Sequence, residues 1–334
     1  MTLHQADKAT PSLSIVVPMF NEAGNLDRLL DRLEATLQAL VLDYEIVCVD
    51  DGSRDDTLVR VLGRRQRNPR IKVLALSRNF GKEVALTAGI AHAAGAAVVA
   101  IDADLQHPPE LIAELVARWR EGYDVAYAVR RSRVTDSLGH RFGAKAFYWI
   151  FSHLAETKLP EGAGDFRLMD RRVVDALNRM PERARFMKGL FAWVGFKQIA
   201  VPFEPSARED GASRWAFLRL WRFALDGLTS FSTLPLRIWF YVGVGLALPS
   251  LGFGVFELVR TIVQGIDVPG YASVFVAVVF LGGVQLLSLG IIGEYVGRIF
   301  AEVNERPLYL VRERFGFDDE LSRGADVRRI ISGR

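Results

Sequence analysis

The stretch AIDADLQH, residues Ala100–His107, ends an apolar run that starts at Ala96 in two aspartates one residue apart, Asp102 and Asp104. Gln106, His107 and the pair Pro108-Pro109 follow. An apolar run that ends in alternating carboxylates reads as a buried strand with both acids at its C-terminal edge, where open α/β sheets bind ligands. Two carboxylates this close repel, and each raises the other's pKa unless a cation lies between them. Hard divalent ions take one or two carboxylates together with the oxygens of a substrate phosphate. The pattern points to a metal–diphosphate site. A solvated acidic turn capping the next helix is the alternative reading of the tripeptide alone.

Outward from this stretch, the first half of the chain alternates. Ser14–Val17 is a short β-branched run ending at Pro18, followed by Asn21, Glu22 and an amphipathic segment Asn25–Leu40. Tyr44–Val49 is a second strand, with Asp50–Ser53 (DDGS) and a basic helix to Arg67 after it. Ile71–Leu76 is a third, followed by Ser77–Glu83 (SRNFGKE) and a small-residue helix through Ala94. Ala96–Ile101 is the fourth, Pro109–Arg120 a helix with proline in its first turn, and Asp124–Val129 a fifth strand. Continuous apolar strands joined by helices imply a mostly parallel sheet covered on both faces. No GxGxxG follows the first strand, which disfavours a dinucleotide-binding Rossmann fold. The strand ends carry Pro18, Asn21 and Glu22, then Asp50 and Asp51, then Arg78 and Asn79, then Asp102, Asp104 and Gln106. Carboxylates there suit ribose hydroxyls or a base N–H, although Asp51 and Ser53 are also ordinary turn and cap residues.

The formal net charge is only +3, so the molecule as a whole is no polyanion binder and no nucleic-acid partner is expected. The single cysteine, Cys48, lies in an apolar run, which rules out a disulfide within the chain and a cysteine zinc site, and suits a reducing compartment. The first twelve residues lack the basic-then-apolar pattern of a signal peptide, so roughly the first 230 residues are expected in the cytoplasm.

Val16–Glu22 (VVPMFNE), Val49–Thr57 (VDDGSRDDT), Leu76–Glu83 (LSRNFGKE) and Asp102–Glu110 (DADLQHPPE), taken in order, resemble the inverting glycosyltransferase family 2. The likeness is strongest to its polyprenyl-phosphate branch, which includes dolichol-phosphate mannose synthase and bacterial undecaprenyl-phosphate glucosyltransferases. It runs from about Ser12 to about Glu313. The resemblance implies a GT-A type α/β domain with a mostly parallel sheet. It also implies that Pro18, Glu22 and Asp51 hold the nucleoside, that Asp102 lies near ribose and diphosphate, and that Asp104 with Gln106 faces the metal, Mg²⁺ or Mn²⁺.

Arg130, Arg131 and Arg133 follow the fifth strand, and Arg141 and Lys145 come soon after, ahead of Phe147, Tyr148, Trp149 and Phe151. Cations at a strand end suit the acceptor phosphate, and adjacent aromatics suit either a membrane interface or core packing. The resemblance sets a catalytic or acceptor-positioning aspartate at Asp165, within Gly162–Arg171 (GAGDFRLMDR), where a turn aspartate before a helix is the plainer alternative. It also sets Arg208, Ser213 and Arg214 in a loop over the diphosphate, with arginine at 214 where many relatives have lysine. Gly211 stands where processive polysaccharide synthases carry the glutamine of Gln-x-x-Arg-Trp, so processive synthesis is not expected.

Trp215–Phe231 is amphipathic and reads as an interfacial helix. Ile238–Phe256 and Val268–Gly293 are uncharged and long enough to cross a bilayer. The link Glu257–Asp267 holds one arginine, whereas the outer flanks hold Arg219, Arg222, Arg237, Arg298, Arg306, Arg312 and Arg314, which orients both ends to the cytoplasm. The expected order is a free N-terminus (1–11), a catalytic domain (12–213), an interfacial helix (214–234), two spans (235–257 and 268–293) and a cytoplasmic tail (294–334). The expected reaction transfers glucose from UDP-glucose to undecaprenyl phosphate in a multi-pass plasma-membrane protein that forms a homo-oligomer. GDP-mannose, UDP-GlcNAc or UDP-aminoarabinose as donor, or a nucleotide-sugar-binding protein without turnover, are the alternatives.

Overall fold

The computed structural model describes residues 12–40, 42–130, 163–180, 182, 187–203, 234–264 and 270–317. Arg131, Arg141, Lys145, Arg208, Ser213, Arg214 and the expected interfacial helix lie outside these residues.

The first four strands are the expected ones: β1 (Leu13–Met19), β2 (Tyr44–Asp50), β3 (Ile71–Leu76) and β4 (Ala97–Ala100). The first three alternate with helices α1 (Leu26–Ala39), α2 (Thr57–Arg67) and α3 (Lys82–His92). All four pair in parallel, in the spatial order β4-β1-β2-β3. Every residue of β1 and β2 is buried, which is why these strands read as unbroken apolar runs rather than alternating ones. The strand order reverses between β1 and β4, and α3 crosses back over β1 and β2. Gly89 makes that crossing close, because a Cβ there would collide with the Val16 side chain.

Pro18 sits inside a central strand without breaking it. Odd residues of β1 bond to β2, as Met19 does by accepting from Asp51 N–H, while Val16 accepts from Ile101 N–H on the other side. The donor that Pro18 lacks therefore faces the β4 side, where pairing has already stopped at Val16↔Ala100. The two strands part there, and the opening is the crevice at the switch point of the sheet.

Beyond β4 the sheet departs from simple alternation. After a 3-10 turn (Pro109–Leu111) and α4 (Ile112–Arg120), β5 (Val125–Arg130) does not lie beside β4. β6 (Ala163–Asp170) enters between them, antiparallel to both, and is followed by α5 (Arg171–Asn178) and α6 (Met187–Trp193). β7 (Gln198–Phe203) then pairs in parallel with β5. The charged tail, to which the sequence assigned no role, returns as β8 (Val311–Phe315), antiparallel to β3, and Ser77 N–H is held by the Leu310 carbonyl. Among the described residues, four of the seven strand pairings are parallel. The sheet is thus mostly parallel on its first-half side and mixed beyond.

Among its buried polar groups is Glu45 on β2. It accepts from Ser14 Oγ (2.5 Å) and Ala94 N–H (2.6 Å) and pairs with Lys72 Nζ at 2.6 Å. These bonds tie three neighbouring strands to the end of α3.

A second compact unit contains α7 (Leu234–Gln264) and α8 (Tyr271–Val303), which contact each other. They take up nearly all of both uncharged runs expected to span a membrane. Among the described residues, Phe280–Val303 is the stretch long and apolar enough to cross one. Leu248, Phe253, Ile262, Leu286 and Phe300 are exposed on these helices. An apolar surface of this extent is stable in a lipid or protein surrounding and costly in water.

Candidate active site

The β1–α1 and β2–α2 loops close one side of the crevice by bonding to each other. Asn21, in the left-handed region at φ 57°, donates its N–H to Ser53 Oγ and accepts from Arg54 N–H through Oδ1. Glu22 N–H donates to Thr57 Oγ1, and Ala23 N–H to Asp55. Burial raises the Glu22 carboxyl above its ordinary pKa, and the negative charges of Asp104 and Asp102 add to the rise. The ends of β1 and β4 thus lie in one electrostatic field.

Asp51 is buried at the end of β2. Its two oxygens accept from Phe80 N–H (2.7 Å) and Gly81 N–H (2.8 Å), fastening the β3–α3 loop. Gly52 beside it has φ 70°, and a Cβ there would meet the Arg78 backbone at 2.6 Å, so only glycine fits. Each Asp51 oxygen retains acceptor capacity for a ligand.

Asp102, Asp104 and His107 place one ligand atom each within 4.8 Å of one another. Asp104 is exposed and accepts from Gln106 N–H, with Leu105 between them at φ 57°. His107 is buried against Phe166 and Phe203. Two carboxylates and an imidazole form a donor set that suits Mn²⁺ and accommodates Mg²⁺ through the carboxylates. Gln106, expected to face a metal, lies within the same turn.

Asp165 reaches this group through β6. The antiparallel register pairs Ala100 with Arg167, and carrying it two residues further sets Asp165 opposite Asp102. Lys82 at the start of α3 joins them. Its Nζ lies 2.7 Å from Asp102 Oδ1 and 2.7 Å from Asp165 Oδ2. Burial works to raise the Asp165 carboxyl, but Lys82 and Lys188 outweigh it and hold the group at about 2. The same two carboxylates raise Lys82 well above the usual lysine value, against the desolvation that lowers it. Asp102 is raised, first by burial and then by Asp165 and Asp104, with Lys82 opposing. Glu83 is pushed up to about 7 by burial and by Asp165, and accepts from Met187 N–H at the start of α6. Arg167 is buried, donates to the Gly164 carbonyl at 2.6 Å and lies 3.8 Å over the Phe191 ring; burial lowers it to about 10.

Pro18, Glu22, Asp51, Asp102, Asp104, Gln106 and Asp165 thus belong to one edge of one sheet. His107 and Arg167 belong to it too, Lys82 and Glu83 reach it from the start of α3, and the charge of Lys188 acts on Asp165 and Glu83 from α6; sequence reasoning assigns none of them a role. FGKE and LQH carry Lys82, Glu83 and His107 next to the motifs, but spacing alone does not say which neighbour turns inward.

Residues 14–177 match the family model described as glycosyl transferase family 2, and residues 234–299 match one described as GtrB C-terminal hairpin. An uncharacterised glycosyltransferase of Synechocystis sp. is 55% identical over 92% of this chain and 97% of its own length. A putative glycosyltransferase of Bacillus subtilis, CsbB, is 43% identical over 90% of this chain and 91% of its own. The SfII prophage-derived bactoprenol glucosyl transferase of Shigella flexneri is 41% identical over 90% of this chain and 97% of its own.

Proposed function

Because the chain belongs to glycosyltransferase family 2, we propose that it transfers a sugar, glucose, from UDP-glucose to undecaprenyl phosphate with inversion at the anomeric carbon. The observation that carries this reading is the meeting of Asp102 and Asp104 from the end of β4 with Asp165 from β6. Likeness to a bactoprenol glucosyl transferase over both the catalytic domain and the helical hairpin supports the lipid acceptor.

In this reading Pro18, Glu22 and Asp51 hold the nucleoside. Asp104, Gln106 and Asp102, with His107 in reach, hold a divalent ion, which when bound neutralises charge on the diphosphate. An oxygen of the acceptor phosphate forms a bond to the anomeric carbon on the face opposite the diphosphate. The bond from that carbon to the diphosphate breaks, and UDP leaves with its electron pair. A phosphate monoester loses its second proton with a pKa of about 6, so no strong base is required. Asp165, whose carboxyl Lys82 and Lys188 hold below its ordinary value, orients the acceptor side in this reading. Arg131, Arg141 and Lys145 serve the acceptor phosphate, and Arg131, Arg208, Ser213 and Arg214 the leaving diphosphate.

Both helices of the hairpin cross the plasma membrane, with the catalytic domain and the tail in the cytoplasm. The exposed apolar residues of α7 and α8 and the arginine asymmetry support this topology. Self-association of the chain belongs to the same reading.

The test offers labelled UDP- and GDP-sugars to the detergent-solubilised protein with undecaprenyl phosphate. Label is expected in the lipid from UDP-glucose. It should disappear with EDTA and fall about a thousandfold in Asp104→Ala, the scale of lost transition-state charge stabilisation. Label from a different donor replaces the sugar and keeps the reaction. Absence of transfer from every donor, with UDP still bound, supports a nucleotide-sugar-binding protein without turnover.

A further inference from the structure

Lys82 caps two anions. Its side chain is 46% exposed, while those of Asp102 and Asp165 are 17% and 12% exposed. The ammonium has three donors, and it lies within hydrogen-bond distance of both Asp102 oxygens as well as Asp165 Oδ2. Two consequences follow. Because Lys82 Nζ lies against both oxygens of Asp102, a divalent ion on that carboxylate sits within a few ångströms of the ammonium and repels it. An anionic acceptor brought near Asp165 meets a repulsion of about 4 kcal/mol per charge pair at 4 Å in a surface-like dielectric, unless a cation accompanies that carboxylate.

We propose that Lys82 is an acceptor-phosphate-binding residue, released from Asp102 by the divalent ion and kept at the site by Asp165. This rests on the reading of the chain as a polyprenyl-phosphate glycosyltransferase. The fold favours the acceptor over the donor. Asp165 comes from β6, on the side of β4 away from β1, whereas Glu22 and Asp51 close the crevice on the β1–β2 side. A lysine freed from Asp102 and still paired with Asp165 is thus carried away from the nucleoside. The start of α3 is itself fixed, through Asp51 on Phe80 and Gly81 and through the close packing of Gly89 on Val16. The ammonium therefore exchanges partners by side-chain rotation alone.

The experiment uses the full chain in detergent, wild type against Lys82→Met and Lys82→Arg, with melting curves to verify folding. Free Mn²⁺ is followed by its electron paramagnetic resonance signal in the presence of UDP, and KM is measured separately for UDP-glucose and for undecaprenyl phosphate. Loss of a charge-assisted contact is expected to raise the acceptor KM of Lys82→Met about tenfold or more, with the donor KM changed less than about twofold. Removing the competing ammonium should tighten Mn²⁺ binding about threefold. Lys82→Arg should recover most of the acceptor KM, since it restores the charge. An unchanged acceptor KM, a raised donor KM or weaker Mn²⁺ binding in folded Lys82→Met overturns the proposal. If the wild type transfers sugar to no polyprenyl phosphate, the functional reading falls and takes the acceptor role with it. The Mn²⁺ measurement then still decides whether Lys82 and the ion compete for Asp102.

Discussion

The two halves of the sheet were assembled by different rules. In β4-β1-β2-β3 each strand follows the previous one through a helix, all run parallel, and their ends meet at one edge simply because they point the same way. In β7-β5-β6 one strand is antiparallel: β6 runs against both β5 and β4. In the proposed function the first half provides the nucleotide side. The second delivers Asp165, from early in an antiparallel strand, to the place where the parallel strands end. A single insertion thus completes the constellation, so the nucleotide side and the transfer side should be separable by mutation.

The sharpest test of that separation is Asp165→Asn against Asp102→Asn. Asp165→Asn is expected to lower kcat by about two to three orders of magnitude while UDP affinity changes little. Asp102→Asn should lose both, as read by UDP calorimetry with Mn²⁺ and by lipid transfer. Equal loss of UDP binding in the two variants would merge the halves into one site.

A smaller effect probes the parallel half by itself. Glu45→Ala leaves Ser14, Lys72 and Ala94 N–H without their shared carboxylate, and breaking a buried pair of this kind costs about 3 kcal/mol. Thermal melting in detergent should show the loss. A shift near zero would mean that water replaces the carboxylate.

The smallest expected effect lies where α3 of the first half meets Asp165 of the second. Burial and Asp165 push Glu83 up to about 7 from an ordinary 4.5, so between those values the folded chain keeps a proton that the unfolded chain has released. Stability must therefore fall as pH rises through the window, and Glu83→Gln should flatten the fall between pH 5 and 7. A pH profile of the melting temperature identical to that of the wild type would remove Glu83 from this linkage.

The parallel half was legible because its signals are local. Apolar runs at β1 to β4, the polar residues that end them and the amphipathic pattern of α1 all lie within a few residues of one another. The extended run from Asp165 to Asp170 could be read as a strand, but nothing nearby said that it runs antiparallel between β4 and β5. β8 was hidden for a related reason: VRERF alternates charged and apolar residues, as an edge strand does, but a charged tail gives the same composition. Lys82 and Glu83 lay inside a recognised motif and still went unassigned.

The amino-acid sequence by itself determined the α/β alternation, the acidic strand ends, the family and the long apolar segments, since each depends on periodicity or composition within one stretch. Only the tertiary structure decided that β6 enters beside β4, that Lys82 bridges Asp102 and Asp165, that His107 joins the acidic pair, and that Glu45 binds three strands together. Those outcomes are contacts between distant segments. Strand pairing fixes register, register fixes which carboxylates share a cation, and burial then sets their charge, so none has a signature in the residues taken alone.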